Sequence, residues 1–195
     1  MRSVAKELDK TPESLFEVVW KPFQLNPRAS ETPVDKREMY DRKFGKDRVE
    51  QMIPYMEETG RKEGIKFSYG GTTANTLQSH RLVEWAFRKG GAAAQNAFQE
   101  AIFKRYFELE KSPNDTNALL ESIEEAGLDR EEADALLKNR EQSPSSSEVM
   151  REIREYRSKY DVSGVPHFVI GKFSFSGAQD PSTIEKVLKQ SLSSL

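Results

Sequence analysis

The chain has 195 residues, enough for one domain with a sizeable insertion or for two small lobes sharing a core. Thirty Lys and Arg against 32 Asp and Glu leave a formal net charge of -2, so no overall basic field draws the protein to nucleic acid or to anionic lipid. The absence of cysteine excludes disulfides, thiolate metal sites and any cysteine nucleophile carried by these residues.

A hydrophobic content of 36% beside 32% charged residues suits amphipathic helices around a limited core, so helix is expected to dominate. The opening MRSVAKELDK lacks an apolar leader core and nowhere do 18 apolar residues run together. The expectation is a cytoplasmic protein without a membrane partner.

In chain order, Val4, Leu8 and Leu15 among charges read as the last turns of a helix stopped at Thr11-Pro12. The β-rich run Phe16 to Phe23 reads as a strand closed by Lys21-Pro22, and QLNPRASETPVDK as a surface loop. From Lys36 to about Tyr55 the apolar spacing fits two short helices, with Gly45 and Pro54 as interruptions. Asn75 or Thr76 can cap a helix carrying Leu82, Val83, Trp85 and Phe87, which Gly90-Gly91 should end.

A second amphipathic helix follows, with Phe98, Ile102, Tyr106 and Leu109 on one stripe; these aromatics read as core rather than as a cofactor box. A shorter helix runs to Gly127, and Asp129 with Glu132 has capping-box spacing at the start of the next. A serine-rich hinge leads to a helix capped by Ser145 and Glu148. Then VPHFVIG and FSFSG read as two strands joined by a tight Gly171-Lys172 turn. Asp180 and Pro181 start a final helix, with the Asp180 side chain expected to occupy its first amides. Strands near both ends must meet to bury their faces. The expected fold is therefore an α/β domain from residues 1–30 and 160–195, interrupted by an all-helical lobe over 31–159.

Three segments carry a family resemblance: VVWKPFQLNP, NTLQSHRLVEWA and VSGVPHFVIGKFSFSGAQ. Together, in this order, they resemble the DsbA-like thioredoxin-fold family, most closely its FrnE-like branch, related to 2-hydroxychromene-2-carboxylate isomerases and kappa-class glutathione transferases. The resemblance covers nearly the whole chain. It implies a thioredoxin-like fold with a large helical insertion, whose first strand and Cys-x-x-Cys helix start are missing here. That strand lies in the middle of the family's sheet, and the expectation is that both it and the motif belong upstream of Met1.

The same resemblance implies a function: thiol-disulfide oxidoreductase chemistry, which these residues cannot perform without cysteine. The competing reading is a non-catalytic module that binds an extended peptide or glutathione, and a minor one a glutathione-dependent isomerase or transferase. No catalytic residue and no cofactor is assigned, with glutathione considered only as a ligand. A homodimer is compatible with the pattern.

The resemblance places a cis bond at Val165-Pro166, where the backbone of Val165 would pair with an incoming strand. His167 follows directly, and a strand histidine with satisfied hydrogen bonds is the plainer alternative. Asn75 and His80 are implied cleft residues, against an interhelical hydrogen-bond pair. Phe23, Gln24 and Asn26 would form another wall, although Asn26-Pro27 equally suits a turn. Gln179 lies in SGAQDP, near the helix terminus where related enzymes bind glutathione carboxylates.

Other chemistries fit poorly. His80 and His167, the only two histidines, stand 87 positions apart and give no metal-ligand spacing. Gly70-Gly71 lacks the lysine of a phosphate loop. Acidic and basic residues interleave on what read as solvated helix faces.

Overall fold

The computed structural model describes Met1, Val4, Lys6, Thr11 and residues 15–193. Of the expected first helix, Leu8 and the Pro12 stop lie outside the described residues, whereas Val4 and Lys6 are helical.

The order of elements is β1 (Val34–Asp35), α1 (Lys36–Phe44), α2 (Lys46–Lys62), β2 (Thr72–Thr73), α3 (Leu77–Phe107), α4 (Thr116–Glu125), α5 (Arg130–Lys138), α6 (Ser146–Tyr160), β3 (His167–Ile170), β4 (Phe173–Ser176) and α7 (Pro181–Leu192). Helix dominates because the apolar spacing is helical over most of the chain and because capping residues stand where helices must begin. Asp35 accepts from Glu38 N, Asp115 from Ala118 N and Asp129 from Glu132 N. Of the two sequences with capping-box spacing, the full box forms at Ser145 and Glu148, each side chain taking the other's backbone N–H. α1 and α2 break at Gly45, whereas Pro54 stays inside α2.

Gly90 and Gly91 interrupt α3. Gly91 has φ +65° and ψ -162°, a conformation that an L side chain resists, so two helices meet there at a kink. The second half ends at Phe107, two residues before the end of the apolar stripe, and Leu109 is exposed.

The core lies where the halves of α3 meet α4 and α5. Leu82, Val83, Trp85 and Ala86 come from the first half and Phe98 and Ile102 from the second. Leu119, Leu120 and Ile123 of α4 and Ala133 and Leu136 of α5 complete the cluster. Each fully buried large side chain contributes about 1.5–3 kcal/mol by removal from water. α6 adds Val149 and Ile153 against α3.

Two sequence expectations need correction. Residues 16–24 form neither helix nor strand. A strand needs a neighbouring strand, and here α3 supplies side chains instead: Gln95 accepts from Trp20 N at 2.8 Å and donates to Trp20 O at 3.1 Å. Asn96 accepts from Trp20 Nε1 at 2.5 Å and donates to Val18 O at 3.4 Å. Nor is the insertion all helical, because β1 and β2 pair antiparallel within it, Val34 opposite Thr73 and Asp35 opposite Thr72. Among the described residues β3 pairs only with β4, and these two small sheets are separate. No helix among the described residues is long and apolar enough to cross a membrane.

Candidate functional site

The hairpin is built by simple local rules. Its register places His167 opposite Ser176, Phe168 opposite Phe175, Val169 opposite Ser174 and Ile170 opposite Phe173, around a two-residue turn at Gly171 (φ +56°). Side chains therefore alternate. Phe168, Ile170, Phe173 and Phe175 share one half-buried face, with the Phe168 and Phe175 rings stacked at 5.4 Å. His167, Val169, Ser174 and Ser176 share the other, where Val169 is 43% exposed; Val165, in the bend before β3, is 48% exposed.

Backbone direction follows from the same register. Pro166 O accepts from Gly177 N at 2.8 Å, so residues 166, 168 and 170 turn their polar groups toward β4. His167 and Val169 consequently turn theirs the opposite way, toward an edge with no partner strand among the described residues. The Val165–Pro166 peptide bond is cis, as is Ser143–Pro144. Both ring nitrogens of His167 are taken: Nδ1 lies 2.7 Å from Ser176 Oγ and Nε2 2.9 Å from Ser174 Oγ. Gln179 donates to Ser176 O at 3.0 Å and so ties the end of β4 to the loop before α7. Asp180 precedes that helix without a side-chain cap, contrary to expectation; its carbonyl instead accepts from Thr183 N and Ile184 N.

The other sequence-derived residues gather around the start of α3. Asn75 is fully engaged: its Oδ1 accepts from Gln24 Nε2 and from Leu77 N, and its Nδ2 donates to Pro27 O and Ala29 O. It thereby takes the first amide of α3, whose N-cap residue is Thr76, and fastens the 24–30 loop to the helix. Asn26 is exposed and shapes the turn, accepting from Arg28 N through its side chain and from Ala29 N through its carbonyl. His80, on the first turn of α3, bonds to the Phe23 backbone. Burial pushes its imidazole down to about 4, against that hydrogen bond.

Thus Val165, Pro166, His167 and Gln179 form one set at the hairpin, and Asn26, Asn75 and His80 another at the loop. The hydrogen bonds described here hold each set together internally and do not cross between them. Among the described residues no cluster of His, Asp and Glu is arranged to hold a metal.

Sequence reasoning missed the buried polar side chains. Arg81 has no exposed surface, and its guanidinium donates to Pro144 O, Asn139 O, Gln142 O and Gln78 Oε1, riveting the 139–145 loop to α3. Gln95 is equally buried. Both carried a signal, since Arg81 stands four residues before Trp85 and Gln95 three before Phe98, on apolar stripes where a polar residue must find partners. The described surface grooves are polar. One, between α3 and α6, is lined by Glu84, Arg88, Glu148, Glu152, Glu155 and Tyr156.

A predominantly helical chain whose C-terminal hairpin and helix carry an open strand edge is an α/β protein with a large helical insertion. The sequence matches the DSBA-like thioredoxin domain over residues 2–189, and the chain belongs to that family. No curated protein matches it.

Proposed function

We propose that this chain is a thioredoxin-fold homologue of the thiol-disulfide oxidoreductases, of the FrnE-like branch, that holds an extended peptide without exchanging disulfides. The observation that carries the reading is the edge of β3, along which His167 and Val169 turn their N–H and C=O groups outward, with the backbone of Val165 added by the family resemblance. A peptide added there would form main-chain hydrogen bonds for affinity, and alternate side chains would meet Val165 and Val169 for selectivity. The 195 residues contain no cysteine, so no thiolate is available for the exchange reaction. Glutathione, a short peptide itself, is the smaller ligand of the same chemistry.

The test is fluorescence anisotropy with labelled, cysteine-free peptides rich in Val and Thr. Saturable binding is expected in the wild type. Val169→Pro should abolish it, because it deletes an outward N–H while leaving the β3–β4 hydrogen bonds in place. Equal binding by the proline variant would sink the edge reading. Insulin reduction should show no turnover, and measurable turnover would overturn the claim of redox inactivity.

A further inference from the structure

An overall charge of -2 offers no attraction to a negative surface, but the charge is unevenly spread. At the turn between α1 and α2 the sequence runs Arg42, Lys43, Phe44, Gly45, Lys46, Asp47, Arg48, four cations against one carboxylate. Every one of these residues is exposed. Helix cations are often neutralised by an acid one turn away, as Asp41 neutralises Arg37 at 3.2 Å. No such partner serves the turn: Arg42, Lys43, Lys46 and Arg48 form no ion pair with any described residue.

The fold holds this turn outward. α1 packs on α2, β1 and β2, and buries only Lys36, its first residue; α2 buries only Val49 and Gly60. Gly45, with φ +87°, makes the turn, and a side chain there would meet no atom within 4 Å. Beside it the Phe44 ring is 37% exposed, 5.7 Å from the Tyr40 ring and with the Lys43 ammonium 5.0 Å from its centre. The tip therefore presents one apolar ring among four free cations.

That combination selects among negative partners. A turn between two helices is no groove, so it encloses neither a small anion nor an extended chain. A lipid bilayer needs no enclosure: a phenylalanine ring enters the boundary of the acyl region while Lys and Arg stay among the headgroup phosphates. One apolar anchor alone binds a membrane marginally, and a polybasic cluster beside it supplies the second signal.

We infer that the tip between α1 and α2 is a contact site for anionic lipid, with Arg42, Lys43, Lys46 and Arg48 at the headgroups and the Phe44 ring in the boundary below them. The contact is peripheral and reversible. It departs from the expectation that overall charge leaves the chain without a membrane partner, and it uses none of the residues of the peptide reading.

The test is co-sedimentation with phosphatidylcholine vesicles, with and without phosphatidylserine. Each net cation near an anionic surface raises partitioning about fivefold, so the three net charges of the tip, four cations less Asp47, should give about a hundredfold preference for phosphatidylserine. Salt at about 0.5 M should remove most of it. The double variant Lys43→Glu/Lys46→Glu reverses the sign of the tip and should lose binding. Phe44→Ser keeps the charge and should weaken binding about tenfold. Val169→Pro should sediment as the wild type does; its failure to do so would move the contact to the hairpin and overturn the inference. A wild type indifferent to phosphatidylserine, or a charge-reversed variant that binds equally, would overturn it too. So would binding that Phe44→Ser leaves unchanged, displacement by dilute inorganic phosphate, or equal affinity for a single-stranded oligonucleotide. Circular dichroism melts check that the variants remain folded.

Discussion

The helical lobe and the C-terminal hairpin with α7 solve the burial problem in opposite ways. In the lobe, the kink at Gly90-Gly91 folds α3 back so that its two halves and α4 and α5 enclose a core of eleven buried residues. The hairpin packs on α7 through β3, has one half-buried apolar face, and leaves Val169, Ser174 and Ser176 of its other face exposed. A helix satisfies its backbone within itself, so a helical lobe can be complete alone. A strand cannot, and β3 carries that incompleteness to the surface.

The contrast predicts where damage is felt. The largest effect is expected from Phe98→Ala, which removes a ring with no exposed surface from the centre of the lobe. About 4 kcal/mol of stability should be lost, read as a drop in the urea midpoint with the slope unchanged.

Next comes the joint between the lobe and the segment around Trp20. Gln95→Leu keeps the bulk but leaves Trp20 N–H and C=O without their partner, at a cost of about 3 kcal/mol. Quenching of Trp20 fluorescence should then rise before the lobe melts; unchanged quenching would mean that the segment is held by other contacts.

Acid probes the same joint. The His80 imidazole has its pKa lowered to about 4 in the folded protein from an ordinary value near 6.5. Folded His80 therefore resists protonation. Its contribution is fully present above about pH 6.5 and is lost as pH falls toward 4, amounting to roughly 3 kcal/mol at the acid limit. Stability measured against pH should fall across this window, and His80→Gln should flatten the profile there. A profile identical to wild type would remove His80 from the account.

The smallest of these effects is expected in the hairpin. Leu188→Ala should cost about 2 kcal/mol, at the low end for such truncations because half-exposed neighbours can close the gap. Hydrogen exchange should accelerate at the Phe168 and Phe175 amides while the amides of α3 and α4 keep their protection. Equal acceleration in both regions would show that the two fold as one cooperative unit.

What could be read from the sequence divides along the same line. Caps at Asp129 and Ser145, the break at Gly90-Gly91 and the Gly171-Lys172 turn are local, and each follows from a few neighbouring residues. The β-rich Phe16 to Phe23 run was legible only as a propensity, and propensity does not provide a partner; side-chain amides on α3 took the backbone instead. The resemblance implies Asn75 and His80 as cleft residues, and their bonds close a loop onto the start of α3. The strand after Val165-Pro166 was legible as a strand, but which of its residues turn their backbone away from β4 needed the register, which sequence alternation alone leaves free by two residues.

Lys36 shows what such closure means for reactivity. The residue is 2% exposed, and its ammonium donates to Ser68 O at 3.2 Å and Tyr106 O at 3.0 Å and lies 4.4 Å from the centre of the Tyr106 ring. Burial lowers its pKa, partly offset by Glu110, which in an accessible amine would favour attack on an acylating reagent. Here no reagent can reach it. Lys36 is thus a silent amine in the folded protein, and the moment at which it becomes labelled marks the opening of the contacts that join β1, the Ser68 loop and the end of α3.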